Sequence, residues 1–420
     1  MDIQDSLNKL FALHQFDVKL GLDNIKGFLD AIANPQEKLK TIHIAGSNGK
    51  GSTSSFIASI LMEAGYRTGL YTSPHFVKFN ERISVDGKLI SDDYIANFID
   101  RNQKKMEEFH LTFFEVTTAM AFEYFVFMGV DIAVIETGLG GRLDATNVLN
   151  PLACVITPIS LEHTNILGED LEHIAFEKSE IIKPGSKTFI GLMPEKAIKV
   201  IEKKANSVKS ELFCLEEYIV EKGDNIQLYT EEIQFDEWLV PLIGKHQKYN
   251  AALAALCIAK SFDVDDPSII TNGIKNVVKN TKIQGRYEIA LNKPRIILDS
   301  AHNPEGVESL VNTFKLEKAN YSKSILLFSV MRDKNIKQML LTVKDLFDEI
   351  YFYELSYERT ANIEMLKTIA DSLSIKYEII DDLKLFLTQF INGPKDNCLV
   401  AAGSMYLLGE VKPILSKLLS

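Results

Sequence analysis

Along most of the chain, short apolar runs alternate with longer segments in which apolar residues recur every three or four positions. The runs predict β-strands at residues 68–71, 132–135 and 154–156, and the spaced pattern predicts helices between them. Alternation of strands and helices is typical of a parallel α/β sheet and argues against a β-sandwich or a helix bundle. Residues 214–240 differ, because their pattern predicts antiparallel strands, which we place as a hairpin on the first domain.

A polar stretch that contains glycine and proline, at residues 284–294, predicts a boundary between two domains. A second series of strands is predicted after it, at residues 295–298, 322–329, 349–355, 376–380 and 398–402. The length of 420 residues also exceeds that of one ordinary domain. We therefore predict a mostly parallel sheet domain with a phosphate-binding loop (P-loop) over residues 1–284, a linker over 285–294, and a smaller Rossmann-like α/β domain over 295–420.

The composition narrows the class of protein. With 57 acidic and 46 basic residues, the chain has a net charge of −11, which disfavours nucleic acid or an anionic membrane as a partner. No apolar run reaches the roughly 20 residues that span a bilayer, and the N-terminus lacks a signal pattern, so we expect a cytoplasmic protein. The four cysteines lack the spacing of metal ligands or redox pairs, so we expect reduced core residues.

Residues 41–52 combine an apolar strand, a glycine-rich turn and the start of a helix. The backbone N–H groups of such a turn can approach phosphate oxygens, while Lys50 supplies a positive charge and Ser52 can reach a Mg²⁺ ion. The spacing departs from the general pattern G-x-x-x-x-G-K-[ST], because Gly51 separates Lys50 from Ser52. The strand that follows the helix completes a βαβ unit, so we predict a loop that binds ATP. An ordinary glycine-rich turn is the alternative.

Three polar residues follow predicted strands, at the edge where ligands of open parallel sheets gather. They are Ser73, Glu136 and His163. A hydroxyl, a carboxylate and an imidazole suit a Mg²⁺ ion that keeps several waters and also binds phosphates. Each residue alone has an ordinary alternative as a turn, strand-end or loop residue.

Several motifs occur in order over nearly the whole chain. They are the loop at residues 46–52, Thr72-Ser73-Pro74-His75-Phe76, Phe79-Asn80-Glu81-Arg82-Ile83, the glycine-rich run at residues 136–147, Gly244-Lys245-His246-Gln247 with Asn250, Gly285-Arg286, Asp299-Ser300-Ala301-His302-Asn303-Pro304, and Gly403-Ser404-Met405-Tyr406. Together they are far more specific than any one of them. With these motifs the chain is similar to the folylpolyglutamate synthases and dihydrofolate synthases of the Mur ligase superfamily.

The resemblance implies an acid–amino-acid ligase, in which ATP phosphorylates a folate carboxylate and the amine of L-glutamate displaces the phosphate. Whether the acceptor is tetrahydrofolate, dihydropteroate or both stays open, as does the length of the glutamate tail. The resemblance implies Mg²⁺ at one or two sites and leaves room for a monovalent cation. The expected partners are small-molecule substrates, not nucleic acid or a membrane, and the family favours a monomer.

The resemblance also implies roles for individual residues. The residues expected to bind ATP are Gly49, Lys50, Gly51, Ser52, Asn250, Arg286 and Asp299. Those expected around folate or glutamate are Phe114, Thr118, His302, Ser404 and Tyr406, and Lys50 and His302 are also expected to be catalytic. From pattern alone, Asn250 would be an exposed polar residue on an amphipathic helix, and Arg286 an ordinary surface arginine.

Lys178 is spaced from Leu171 and Ile174 so that it lies on the apolar face of a predicted helix. The ordinary alternative is a lysine that extends its amine to solvent. In similar ligases the lysine of this motif is carbamylated, and burial favours the neutral amine that adds carbon dioxide. The resemblance therefore implies a catalytic, carbamylated Lys178, although Ser179-Glu180 replaces the small pair usual after that lysine.

Three other classes of function stay open. A Mur ligase that builds cell-wall peptides would share the ATP loop, but Ser73-Pro74-His75 and residues 138–147 favour folate. A nucleotide-switch or motor ATPase would hydrolyse ATP without folate or glutamate. A dinucleotide oxidoreductase is disfavoured, because no G-x-G-x-x-G lies between a strand and a helix.

Overall fold

The computed structural model describes residues 3–13, 21–223, 225–231, 233–235, 238–262, 264 and 266–419. Contacts divide the chain into two compact units. The first contains the described residues of Met1–His75, Phe79–Pro241 and Gln247–Lys282. The second contains those of Phe76–Lys78, Leu242–His246 and Ile283–Ser420.

The first unit is built on an eight-stranded sheet. Its strands are β1 (Thr41–Ala45), β2 (Thr68–Tyr71), β3 (Ile83–Val85), β4 (Lys88–Leu89), β5 (Ile132–Glu136), β6 (Ala153–Ile156), β7 (Lys187–Ile190) and β8 (Glu211–Cys214). They lie in the order β4-β3-β2-β5-β1-β6-β7-β8. The six strands from β2 to β8 in this order pair in parallel, and β3 and β4 form an antiparallel edge. A small antiparallel sheet joins β9 (Ile219–Lys222), β10 (Asn225–Tyr229) and β11 (Gln234–Phe235).

Helices cover both faces of the large sheet. They are α1 (Ile3–Ala12), α2 (Asp23–Ala31), α3 (Lys50–Glu63), α4 (Asp92–Glu108), α5 (Phe113–Phe127), α6 (Thr164–Leu167), α7 (Leu171–Ser179), α8 (Glu195–Ser207), α9 (Lys245–Ser261), α10 (Pro267–Lys275) and α11 (Val277–Thr281). One apolar core packs α1, α2, α4 and α5 against β2 and β5, and another packs α7 and α8 against β6 and β7. All residues of β1, β5 and β6 are buried, because the helices cover them on both sides.

The second unit has a six-stranded sheet of its own. Its strands are β12 (Glu288–Leu291), β13 (Arg295–Leu298), β14 (Lys323–Phe328), β15 (Glu349–Tyr353), β16 (Glu378–Ile380) and β17 (Asn397–Ala402). The order is β12-β13-β17-β14-β15-β16, and only the edge strand β12 pairs antiparallel among them. The helices α12 (Pro304–Lys315), α13 (Ile336–Val343), α14 (Ile363–Ser372), α15 (Leu383–Asn392) and α16 (Met405–Leu419) complete two apolar cores.

The predicted fold class is confirmed, since each unit is an α/β sheet and the first is mostly parallel. The antiparallel strands predicted within residues 214–240 are also confirmed by β9 to β11. Strand β12 lies inside the stretch predicted as a linker. Its four residues are only half-buried and form no long apolar run, so the hydrophobic pattern does not reveal this strand. Among the described residues, no helix is long and apolar enough to cross a membrane.

Candidate active site

The glycine-rich loop lies between β1 and α3, and a residue from α9 contacts it. Gly49 directly precedes α3 and has φ +89°, in the left-handed region that favours glycine. A Cβ atom at Gly49 would lie 2.5 Å from Oδ1 of Asn250. The Asn250 side chain is held in turn by a 3.1 Å hydrogen bond from its Nδ2 to Gln247 Oε1. The structure therefore brings Asn250 against the predicted ATP loop, where sequence pattern alone placed it on an exposed face.

Hydrogen bonds fix the shape of this loop. Ser47 Oγ donates to the carbonyl of Ser160 (3.1 Å) and accepts from its N–H (3.0 Å). Lys50 Nζ donates to the carbonyls of Gly46 (2.9 Å) and Ser47 (3.2 Å), so its ammonium stays at the loop. Ser52 is buried in the first turn of α3, whose backbone N–H groups have no partner within the helix. A glycine cradle, a lysine and a helix N-terminus form a set that fits the phosphates of a nucleotide.

Lys178 lies on α7 and is 1% exposed, so the alternative of an amine extended to solvent is wrong. Its Nζ donates to the carbonyl of Gly46 (2.8 Å) and to Oε1 of Glu162 (2.9 Å). Burial lowers the pKa of Lys178, and this effect outweighs the attraction of Glu162. Burial by itself would raise the pKa of Glu162, but the charges of Lys178 and Lys50 lower it overall. A buried lysine with a lowered pKa thus lies directly behind the ATP loop.

The two residues after Lys178 are accommodated by ordinary contacts. Ser179 Oγ donates to the carbonyl of Phe176 (2.9 Å). Glu180 pairs with Lys204 of α8 at 2.9 Å. Neither contact disturbs the position of Lys178, so the unusual pair Ser179-Glu180 is compatible with the buried amine.

Two of the three predicted metal ligands are joined by a hydrogen bond. Glu136, at the end of β5, is 3% exposed and accepts the backbone N–H of Ser73 at 3.3 Å. His163 directly precedes α6 and is half-buried. A buried carboxylate at the carboxyl end of a parallel strand fits a cation that also binds phosphates. In the described part of the chain, no three His, Cys, Asp or Glu side chains are arranged to hold a metal. A Mg²⁺ ion held by Glu136 and His163 would therefore complete its ligands with the Ser73 hydroxyl, water and phosphate.

The predicted folate residues, Phe114 and Thr118, meet around Tyr71. The hydroxyl of Tyr71 lies 3.1 Å from Thr118 Oγ1, and its ring centroid lies 6.1 Å from that of Phe114. A Cβ atom at Gly138 would come within 2.4 Å of the Phe114 ring, so only glycine permits this approach. The run after β5 therefore packs directly beneath Phe114.

Asp144, which no sequence motif marks as a site residue, holds that run. It is 5% exposed and accepts four hydrogen bonds, from the N–H groups of Gly138 (2.9 Å), Leu139 (2.8 Å) and Thr146 (3.0 Å) and from the Thr146 hydroxyl (2.5 Å). Burial raises the pKa of Asp144, and these hydrogen bonds oppose that rise. The sequence signal was a lone aspartate in a glycine-rich segment, which does not by itself distinguish a buried turn residue from an exposed one.

In the second unit, Arg286, Asp299 and His302 lie around the end of β13. Asp299 accepts the N–H groups of Tyr287 and Ala301, both at 2.8 Å, and burial raises its pKa. Arg286 donates to the hydroxyl of Ser300, and His302 Nδ1 lies 2.8 Å from the carbonyl of the same residue. The structure thus brings these three predicted site residues together around Ser300.

Ser404 and Tyr406 follow the neighbouring strand β17. Ser404 Oγ accepts the N–H of Tyr406 at 3.1 Å. The ring of Tyr406 stacks on Tyr357, with centroids 4.5 Å apart, and remains 38% exposed. Because β13 and β17 are adjacent parallel strands, these two residues and His302 lie at the same edge of the sheet. Tyr357 was not predicted, since its loop carries no recognisable motif.

The chain is similar to known proteins over nearly its whole length. Residues 44–259 match the Mur ligase middle domain, and residues 285–405 match the Mur ligase glutamate ligase domain. The dihydrofolate synthase/folylpolyglutamate synthase of Bacillus subtilis is 34% identical over 425 residues, which cover 97% of this chain and 98% of that protein.

Two solved structures are similar over almost their full length. Escherichia coli FolC in complex with DHPP and ADP has a TM-score of 0.87 and 27% identity, and covers 100% of this chain and 98% of its own. A bifunctional folylpolyglutamate synthase/dihydrofolate synthase with Mn, AMPPNP and L-glutamate bound has a TM-score of 0.86 and 26% identity, with 99% and 98% covered.

Proposed function

The chain belongs to the Mur ligase superfamily, in its branch of folylpolyglutamate and dihydrofolate synthases, and we infer that it is an ATP-dependent ligase that adds L-glutamate to folates. The structural observation that best supports this function is the buried Lys178 amine on the Gly46 carbonyl, behind a loop that is closed on its other side by Asn250.

We propose that Gly49, Lys50, Gly51 and Ser52 bind the phosphates of ATP. The glycine cradle supplies N–H donors, and Lys50 would exchange its carbonyl partners for phosphate oxygens. We propose Asn250 as a further ATP-binding residue of the first unit, and Arg286 and Asp299 as those of the second. The planar guanidinium of Arg286 suits two phosphate oxygens at once.

We propose that Ser73, Glu136 and His163 hold Mg²⁺, with one further metal site and a monovalent cation as additions that the family allows. Mg²⁺ supplies charge that stabilises the phosphates during transfer. The contribution of the chain is the buried carboxylate of Glu136, which the Ser73 N–H orients. This hydrogen bond is the local support for the assignment.

Lys178 is proposed to be carbamylated and catalytic. The reaction needs a neutral amine, and burial lowers the pKa of this lysine. Carbamylation converts the side chain from a cation to an anion, so Glu162 would lose its cationic partner and need another cation nearby. Mass measurement of the intact protein under native conditions, with and without bicarbonate, tests the modification directly.

The proposed chemistry has two steps. A folate carboxylate attacks the γ-phosphorus of ATP, which gives an acyl phosphate and ADP. The amine of L-glutamate then attacks the acyl carbon, the phosphate leaves with the bonding electrons, and the amine loses a proton. Phe114 and Thr118 would orient the folate, while His302, Ser404 and Tyr406 would orient the glutamate, with His302 near the amine. Water must be excluded, because it would hydrolyse the acyl phosphate.

The remaining assignments are also proposals. We assign ATP and folate binding to residues 1–284 and glutamate binding to residues 295–420, with residues 285–294 between them. The chain acts on small molecules as a monomer in the cytoplasm, without nucleic acid or a membrane.

The deciding experiment measures phosphate release from ATP with Mg²⁺ and L-glutamate, with tetrahydrofolate, with dihydropteroate or without an acceptor. Release that requires tetrahydrofolate indicates a polyglutamate synthase, and release with either acceptor indicates a bifunctional enzyme. Lys50→Met should abolish release, while Lys199→Met, at an exposed lysine of α8, should leave it unchanged. Equal release without any acceptor would overturn the proposed function in favour of an ATPase.

A further inference from the structure

A buried chain of hydrogen bonds connects strand β1 to the glycine-rich run after β5. His43 lies at the centre of β1, where it pairs with Ile135 on one side and Cys154 on the other, and it is 0% exposed. Its Nε2 lies 2.8 Å from Thr146 Oγ1. Thr146 Oγ1 in turn lies 2.5 Å from Asp144 Oδ1. Neither His43 nor Thr146 has a role in the function proposed above.

The direction of each hydrogen bond follows from what surrounds Asp144. The carboxylate accepts the backbone N–H groups of Gly138, Leu139 and Thr146, and three N–H donors fit its ionised form. The Thr146 hydroxyl must then donate its one proton to Asp144. Its oxygen can only accept from His43, so the imidazole carries its proton on Nε2.

The surroundings of Nδ1, the other ring nitrogen of His43, support the same tautomer. Nδ1 of His43 is buried and has no hydrogen-bond partner among the described residues. The pKa of His43 is lowered to about 3, by burial first and by the charge of Lys183 second, so the ring is neutral. A neutral imidazole carries one proton, and the only hydrogen-bond partner that the described residues offer this ring is the Thr146 hydroxyl, at Nε2. The Nε2–H tautomer can therefore donate a hydrogen bond, whereas the Nδ1–H tautomer would bury its N–H without an acceptor in the described part of the chain.

The glycine-rich run at residues 138–141, which these hydrogen bonds hold, contacts two parts of the site. Gly138 lies beneath the ring of Phe114, and a Cβ atom at Gly141 would meet the Glu177 carbonyl at 2.6 Å and Lys178 Cα at 3.0 Å. A displacement of this run would therefore change the packing against Phe114 first. The ATP loop would be affected less, because hydrogen bonds to Ser160 hold it separately.

We propose that His43 and Thr146 are positioning residues, which hold Asp144 and the run at residues 138–141 in the geometry that the folate site needs. The proposal rests on the proposed function, since folate is the ligand expected at Phe114. His43 acts from inside the sheet and touches no substrate. Its contribution is to keep the Thr146 hydroxyl pointed at Asp144.

The first test reads the proton position in the unaltered protein. ¹⁵N-labelled histidine and long-range ¹H–¹⁵N spectra distinguish the two neutral tautomers, and the signal missing from His43→Gln identifies the residue. We expect the Nε2–H form. The Nδ1–H form, or a charged ring at neutral pH, would overturn the proposal whether or not the protein is a ligase.

The second test separates folate binding from ATP binding. His43→Leu removes one side-chain hydrogen bond and Thr146→Val removes two, and both roughly keep the volume of the side chain. For each variant we expect KM for the folate acceptor to rise about tenfold and KM for ATP to change less than about twofold. His43→Gln, which keeps an N–H near Nε2, should raise the folate KM clearly less than His43→Leu. Equal values for the Gln and Leu variants, or equal rises in both KM values, would refute the positioning role. Failure of the unaltered protein to ligate glutamate would instead refute the proposed function.

Discussion

Replacing Lys178 by methionine should strongly destabilise the first unit of the protein in its unmodified form, prepared without bicarbonate, because it removes the cation from a buried ion pair. The side chains of Lys178 and Glu162 are 2% and 6% exposed, and their charged atoms are 2.9 Å apart. Loss of one partner leaves the other charge buried, which typically costs about 3–5 kcal/mol. Lys50 also acts on Glu162 and still donates to Gly46, so we expect the lower part of this range, about 3 kcal/mol.

A second substitution shows whether the cost arises from the pair. Glu162→Leu removes the buried carboxylate, so Lys178→Met with Glu162→Leu should recover about 2 kcal/mol of the loss. The double variant should still lack ligase activity, because it regains stability without regaining the proposed catalytic lysine. Lys199→Met is the matched control, because its ion pair with Glu195 is fully exposed to solvent and should contribute little to stability.

The free energy of unfolding can be followed in urea by the fluorescence of Trp238, the single tryptophan of the chain, which lies in the first unit. The four proteins of the cycle are measured at pH 7 under one set of conditions. A loss below about 1 kcal/mol for Lys178→Met, or additive losses within about 0.5 kcal/mol, would refute the buried-pair reasoning.

Three further predictions concern other positions. Gly49→Ala should raise KM for ATP at least about tenfold, because Gly49 has φ +89° and the new Cβ would meet Asn250 at 2.5 Å. Gly65→Ala, with φ +85° and open space, should cost stability but leave that KM unchanged. The pKa of His43 is lowered to about 3, so below pH 6.5 the unfolded chain binds a proton that the native state does not. The free energy of unfolding should therefore fall by about 1.4 kcal/mol per pH unit between the two pKa values. His43→Gln should remove this part of the slope. Tyr406→Ala should raise KM for L-glutamate several-fold, while Tyr406→Phe keeps the stacked ring and should raise it less.

Each of these predictions has a result that contradicts it. Equal ATP kinetics for the two glycine variants would separate Gly49 from the nucleotide. An unchanged pH profile in His43→Gln, followed by Trp238 fluorescence, would mean that His43 titrates normally in the native state. A larger effect of Tyr406→Ala on the ATP KM than on the glutamate KM would place that ring elsewhere in the reaction.

The sequence predicted the elements well where hydrophobic pattern alone decides them. The strands at residues 68–71 and 295–298 have the predicted bounds, because short runs of mostly buried residues mark them in the sequence. It missed β12, whose half-buried residues gain their partner only from β13. The family and its function could be recognised from the order of the motifs along the chain, because this order can be read without knowing any tertiary contact.

By itself, the sequence determined the two α/β series, the ATP loop and the class of ligase, because each depends on local pattern or on the order of motifs. Tertiary structure alone decided that Asn250 contacts Gly49, that Lys178 is buried against Glu162, and that Asp144 gathers four donors. These contacts join residues far apart in the chain or depend on how a turn closes. Their energies come from burial and from the direction of hydrogen bonds, which neither spacing nor composition specifies.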